Sequence, residues 1–234
     1  MNQDLADCIV APPGWYVKGV AAVSLAGKCS AGYYCTGGAT SRTACNGTED
    51  GESCQNGGAC SRGDYCLAGQ TYKQPCPPGH YCANGKNITG KCSSGYYCTL
   101  GAWTPQPTSA SEGGNVCPTG HYCPKGSSTP VACGPGFYSS ATGNKNADDC
   151  KPCKGGYVCP MSNTSVPSKL CPGGYYCPNG TSVATLTCPE GSECPLGSAA
   201  PSPCAAGTYQ DASGQSSCDV CPAGSFCLQG SNAY

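Results

Sequence analysis

The sequence predicts small disulfide-rich modules in tandem: an elongated rod of turns and short β-ribbons, with little helix and no single hydrophobic core. Three observations predict it. First, 25 of the 234 residues are cysteine, past the roughly 8–10% that marks a disulfide scaffold. Second, there are 35 Gly and 21 Pro but only two each of Phe, Trp and Met, and charged residues are 11%, against about 25% in an ordinary globular domain. Such a chain cannot bury enough apolar surface to offset the entropy of ordering it, so cross-links must hold it. Third, most of the cysteines recur in one short unit.

The unit is Cys-Pro-x-Gly-x-Tyr-Cys-x-x-Gly. Copies stand at 29–35, 60–66, 76–82, 92–98, 117–123, 153–159, 171–177, 188–194 and 221–227. The Cys-Pro-x-Gly start suits a β-turn with Pro at i+1 and Gly at i+3. That turn brings the flanking cysteines within bridging reach, about 7 Å between Cα atoms. An aromatic stands five residues after the first cysteine at Tyr34, Tyr65, Tyr81, Tyr97, Tyr122, Tyr176 and Phe226. We expect it to be the packing plate of each module, laid over a disulfide, with carbohydrate stacking as the other reading.

Three variants depart in an orderly way. The copies at 133–139 and 204–210 lack the second cysteine and gain a later one, Cys150 or Cys218, which opens a C-x-x-C pair with Cys153 or Cys221. In the third, Ala11 and Val17 replace both module cysteines, so that Cys8 aligns with Cys218.

The segment 204–227, C-x-x-G-x-Y-x4-G-x3-C-x-x-C-P-x-G, resembles the ephrin-receptor-like cysteine-rich repeat, and 133–159 repeats it with a longer loop. That family is similar in style to the tumour-necrosis-factor-receptor and furin-like modules. The tandem CPxGxYC units look like those in surface proteins of protists. CQNGGAC at 54–60 is similar to an epidermal-growth-factor stretch, without the C-x-C that such a module needs next. The resemblance implies extracellular, elongated, non-catalytic modules and names no ligand. The chain is then organised as N-terminal variant modules at 1–44 and an epidermal-growth-factor-like hybrid spacer and module at 45–75. Tandem CPxGxYC modules follow at 76–132, an ephrin-receptor-like module with further CPxGxYC modules at 133–203, and an incomplete ephrin-receptor-like module at 204–234.

Two pairing schemes are open. In the one we favour, each module bridges its own cysteines: Cys29 to Cys35, Cys76 to Cys82, Cys92 to Cys98, Cys117 to Cys123, Cys153 to Cys159, Cys171 to Cys177, Cys188 to Cys194 and Cys221 to Cys227. The variants then pair Cys133 with Cys150 and Cys204 with Cys218. The joint replacement at Ala11 and Val17 follows, because both partners vanish together. Cys45, Cys54, Cys60 and Cys66 close among themselves. The rival scheme links each module to the next, as in Cys82 to Cys92. It needs bridges within the C-x-x-C pairs, which are characteristic of redox-active sites. The total is odd, so one thiol is free or intermolecular, and the candidates are Cys8 and Cys227.

Four N-glycosylation sequons begin at Asn46, Asn87, Asn163 and Asn179, all in loops outside the CPxGxYC turns. The Ser/Thr/Pro loops at 126–132 and 197–203 are suited to O-glycans. Covalent glycans are therefore expected, and no cofactor. Arg62-Gly63-Asp64 is an integrin-type tripeptide, but Gly63 is the turn glycine of its repeat, and we read it as structural. Zinc ribbons place two C-x-x-C pairs about 15–20 residues apart; here the pairs are 68 apart, so no metal site is expected. His80 and His121 share one repeat position and read as surface residues; with no other histidine, catalysis has no support.

Net charge is −1 with no basic stripe, which disfavours nucleic acid, and no apolar run reaches the 18–20 residues of a membrane span. The cysteines call for an oxidising compartment. The N-terminus MNQDLADCIV lacks the basic and apolar stretches of a secretory leader, so we expect residue 1 not to be the true start, or the leader to be removed. With partial modules at both ends, the sequence reads as a structural extracellular glycoprotein, a homopolymer subunit joined head to tail in a filament, coat or appendage. The alternative is a ligand-binding ectodomain of a receptor or adhesin. A secreted inhibitor or toxin-like scaffold is a weaker third reading, since those are far shorter.

Peptide mapping under non-reducing conditions, with cleavage between Cys82 and Cys92, is expected to return the loops 76–82 and 92–98 as separate closed species. A species linking Cys82 to Cys92 would contradict the within-module scheme.

Overall fold

The computed structural model describes residues 8–19, 22–43 and 56–234. Cys45, Asn46 and Cys54 lie outside the described residues. The chain divides into two compact units. Unit 1 is Met1–Cys117 with Cys123–Pro130, and unit 2 is Pro118–Tyr122 with Val131–Tyr234.

Each module begins with a turn, one residue later than the sequence suggested. His80 N–H donates to the Pro77 carbonyl at 3.1 Å, so the turn runs Pro77–His80, with exposed Pro78 at i+1 and Gly79 at i+2. Gly79 has φ 80°. This is a type II turn, which requires positive φ at i+2, and only glycine adopts that conformation without steric cost. A second turn follows the second cysteine: Gln70 N–H donates to the Leu67 carbonyl at 3.2 Å, and Gly69 has φ 82°. The unit is therefore two cysteines, each followed by the same turn.

Between the turns the backbone is extended for two or three residues around the aromatic. It pairs antiparallel with the residues just before the next module's first cysteine. In unit 1 His80 lies opposite Lys91 and Tyr81 opposite Gly90; in unit 2 Tyr122 lies opposite Val131. Ten such two-stranded ribbons occur among the described residues, from Trp15–Val17 with Leu25–Lys28 to Thr208–Tyr209 with Asp219–Val220. Only two short 3-10 turns, Ala110–Glu112 and Ala147–Asp149, interrupt this pattern among them. No helix of the described residues is long and apolar enough to cross a membrane.

Among the described residues no shared apolar core forms. The buried side chains there are mainly half-cystines, most of them with no exposed surface, and the clusters around them are small. Eleven disulfides occur among the described residues. A six-residue loop closed by a disulfide removes about 2 kcal/mol of chain entropy from the unfolded state, and loops of about fifteen residues near 3 kcal/mol.

The variant modules satisfy the same positions by other means. Ser139 and Gln210, 3% and 4% exposed, stand where the second cysteine would be. Asn144 Nδ2 donates to Ser139 Oγ at 2.7 Å and to the His121 carbonyl at 2.8 Å. Gln210 Nε2 donates to the Ser217 carbonyl at 2.9 Å, and its Oε1 accepts from Ala212 N–H at 3.1 Å. A buried polar group without a partner costs about 1–3 kcal/mol, so each replacement folds its own loop around itself. In the long loop before Cys150, the Asp149 carboxylate accepts from Lys145 N–H at 2.6 Å and Asn146 N–H at 3.1 Å. These bonds hold its carboxyl below the usual value. Ala11 and Val17, 2% and 4% exposed, fill the third variant with apolar contact.

Gly79→Ala is expected to destabilise unit 1 by about 2 kcal/mol or more. The left-handed conformation costs a non-glycine residue roughly 1–2 kcal/mol, and the new Cβ would stand 2.5 Å from the Gly126 carbonyl oxygen. Guanidinium unfolding of the oxidised protein reads the effect, with Pro78→Ala at the exposed neighbour as the control. Equal midpoints for the two variants would contradict the turn assignment.

Candidate functional site: the module clasp

Within each unit, every module grips the next through backbone hydrogen bonds. Between modules 76–82 and 92–98 there are four. Gly79 N–H donates to the Cys98 carbonyl at 2.8 Å, and Cys92 N–H donates back to the Gly79 carbonyl at 2.9 Å. Gly101 N–H reaches the Cys76 carbonyl at 2.9 Å, and Cys82 N–H reaches the Ala102 carbonyl at 2.9 Å. In unit 2 the same four join module 171–177 to 188–194, through Gly174 to Cys194 at 2.9 Å, Cys188 to Gly174 at 2.9 Å, Gly197 to Cys171 at 2.8 Å and Cys177 to Ser198 at 2.9 Å.

The first of these bonds, from turn glycine to the following module's second cysteine position, occurs eleven times among the described residues, from Gly14 to Gly207. Variants keep it: Gly120 bonds Ser139, and Gly191 bonds Gln210. Where a glycine is missing from the second turn, Asn163 takes its place with φ 64° and donates to the Cys133 carbonyl at 3.0 Å. Each bond contributes about 0.5–1.5 kcal/mol net. All four use backbone groups only, so side chains are free to differ from module to module.

The clasp also reaches one module further. A Cβ at Gly63 would stand 2.6 Å from the Gly101 carbonyl oxygen, two modules along. The first turn thus needs glycine twice over, for its φ and for this close approach.

The residue five after the first cysteine packs on a disulfide, and the disulfide is the following module's, a choice the sequence left open. Tyr16 lies against Cys29 and Cys35, Tyr81 against Cys92 and Cys98, and Val158 against Cys171 and Cys177. The reason is the ribbon, which carries this side chain toward the next module. The tyrosine ring also covers its cross-strand glycine: a Cβ at Gly58 would stand 2.8 Å from the Tyr34 ring. Phe226, at the same position in module 221–227, is 79% exposed, and the space beside Gly224 is open.

The structure places the other candidates as follows. Cys29 joins Cys35, Cys76 joins Cys82, Cys92 joins Cys98, Cys117 joins Cys123, Cys153 joins Cys159, Cys171 joins Cys177 and Cys188 joins Cys194. Cys60 joins Cys66, Cys133 joins Cys150 and Cys204 joins Cys218. Cys227 is taken by Cys221, while Cys8 is half-buried with a free thiol.

Asn87, Asn163 and Asn179 are exposed. Asn179 Oδ1 accepts from Gly155 N–H at 2.7 Å, which fixes that amide. The Arg62-Gly63-Asp64 side chains are engaged within the protein: the Arg62 guanidinium lies 4.8 Å from the Trp103 ring centre, and Asp64 pairs with Lys73 at 3.1 Å. His80 and His121 each place Nδ1 by a carbonyl of their own turn, Pro78 at 3.3 Å and Thr119 at 2.8 Å. A shallow cleft of about 410 Å³ lies beside the Cys133–Cys150 bridge, lined by Tyr122, Pro135, Phe137 and Ala147 among others. The Tyr122 hydroxyl is the only polar side-chain group in its lining. Sequence reasoning missed the clasp itself. The signal was present in the second glycine, three residues after the second cysteine, which the turn at the first cysteine does not require.

Residues 191–229 match the family described as tyrosine-protein kinase ephrin type A/B receptor-like. No curated protein matches the chain. The tandem disulfide pairs make this a cysteine-rich repeat protein, and at 191–229 its repeat is similar to that family.

Proposed function

We propose that the chain is a structural extracellular glycoprotein, a subunit of a filament, coat or surface appendage that assembles head to tail. The clasp is the observation that carries this reading. The same backbone groups face forward and backward on module after module, so the two faces of a module are complementary to those of any other of its kind. A contact between unlike faces that repeats without closing builds an open assembly. Disulfide density supports an oxidising, extracellular setting, as does the match to a receptor-like cysteine-rich repeat. The exposed sequons Asn87, Asn163 and Asn179 support glycosylation, which would supply the solubility that few charges do not. The modules act by geometry and not by catalysis.

The family match favours one other reading, a ligand-binding ectodomain of a receptor or adhesin. Negative-stain microscopy of the secreted chain separates the two. Regular filaments whose axial repeat corresponds to one chain are expected. Discrete monomers at all concentrations would contradict assembly and favour the ectodomain.

A further inference from the structure

Because the clasp uses backbone groups alone, it gives adhesion without choosing a partner. Selectivity at a joint between chains must come from the side chains around it. Two stretches of the sequence are opposite in charge. Residues 8–43 hold Lys18, Lys28 and Arg42 and no acidic residue; Asp4 and Asp7 precede them, outside the described residues. Residues 170–234 hold Glu190, Glu193, Asp211 and Asp219 and no lysine, arginine or histidine. Glu193 is engaged, accepting from Cys218 N–H at 3.1 Å. Glu190, Asp211 and Asp219 are exposed, as are Lys18, Lys28 and Arg42. Both stretches also expose apolar side chains, Phe226 at 79% in one and Val10 at 79% in the other.

We infer that the modules at 188–227, through their exposed acidic side chains, dock on the basic variant module around Ala11–Val17 of a second copy. Phe226 supplies the apolar contact there that Tyr16 and Tyr81 make within the chain, and the charges choose the end and the direction. This rests on the head-to-tail reading and names the surfaces that carry it. Opposite potentials across such an interface speed encounter and reject like-charged ends. They also make the contact salt-dependent, since the screening length falls from about 30 Å at 0.01 M to about 3 Å at 1 M.

Sedimentation velocity on the whole chain, secreted and oxidised, tests this. Two variants reverse one end each: Lys18→Glu with Arg42→Glu, and Glu190→Lys with Asp211→Lys and Asp219→Lys. The wild-type chain is expected to self-associate at low salt and at least about tenfold more weakly near 0.5 M. Each variant alone should stay monomeric, because both of its ends then carry one sign. An equimolar mixture should associate again, as alternating copies, and that recovery also excludes misfolding as the cause of the loss. Self-association of each variant at the wild-type level would overturn the charged docking face while leaving head-to-tail assembly standing. A wild-type chain that is monomeric at every salt concentration would overturn both.

Discussion

From Gly14 to Gly207, the amide of the first-turn glycine donates to the carbonyl at the second cysteine position of the following module, and that bond organises everything else. It exists only because glycine holds positive φ at i+2 of a type II turn, which aims the N–H out of its own module. The disulfide beside it keeps the accepting carbonyl in place. A module of one disulfide, two turns and a ribbon of two or three residues buries too little to stand alone. It becomes stable by sharing the clasp, the tyrosine contact and the ribbon with its neighbour, as in solenoids, where nearest-neighbour terms dominate.

The variants show what this arrangement tolerates. The second disulfide sulfur is dispensable when a buried Ser139 or Gln210 keeps the backbone carbonyl in position and a longer loop supplies the replacement cysteine. Both cysteines are dispensable together, as at Ala11 and Val17, when apolar side chains fill the space. The glycine of the second turn yields to Asn163, one of the few residue types that adopt the left-handed region readily. In every case the side chain changes and the backbone bond stays.

Much of the fold was legible because its rules are local. Cysteine spacing displayed the modules, and Asn87, Asn163 and Asn179, all outside the CPxGxYC segments, are exposed. What was not legible depends on the neighbour. The turn slipped by one residue because composition points to Pro at i+1 but does not say which peptide begins the turn; Gly79 at φ 80° settles that. Tyr81 was expected over a disulfide, but spacing does not say which; the ribbon delivers it to Cys92 and Cys98 of the following module. The clasp could not be read from side chains, because it has none. Arg62, Gly63 and Asp64 show the converse: a familiar tripeptide whose glycine is the turn and whose charges are engaged by Trp103 and Lys73.

Backbone bonds between modules, and not a core, hold the structure together, and residue-resolved amide hydrogen exchange on the native, oxidised chain reads those bonds one by one. The clasp donors Gly79, Cys82, Cys92 and Gly101 in unit 1, with Gly174 and Cys188 in unit 2, should exchange slowest, while amides of the exposed loops, such as Asn87, exchange at nearly free rates. Fast exchange at the clasp glycines with the disulfides intact would contradict that role of the backbone bonds.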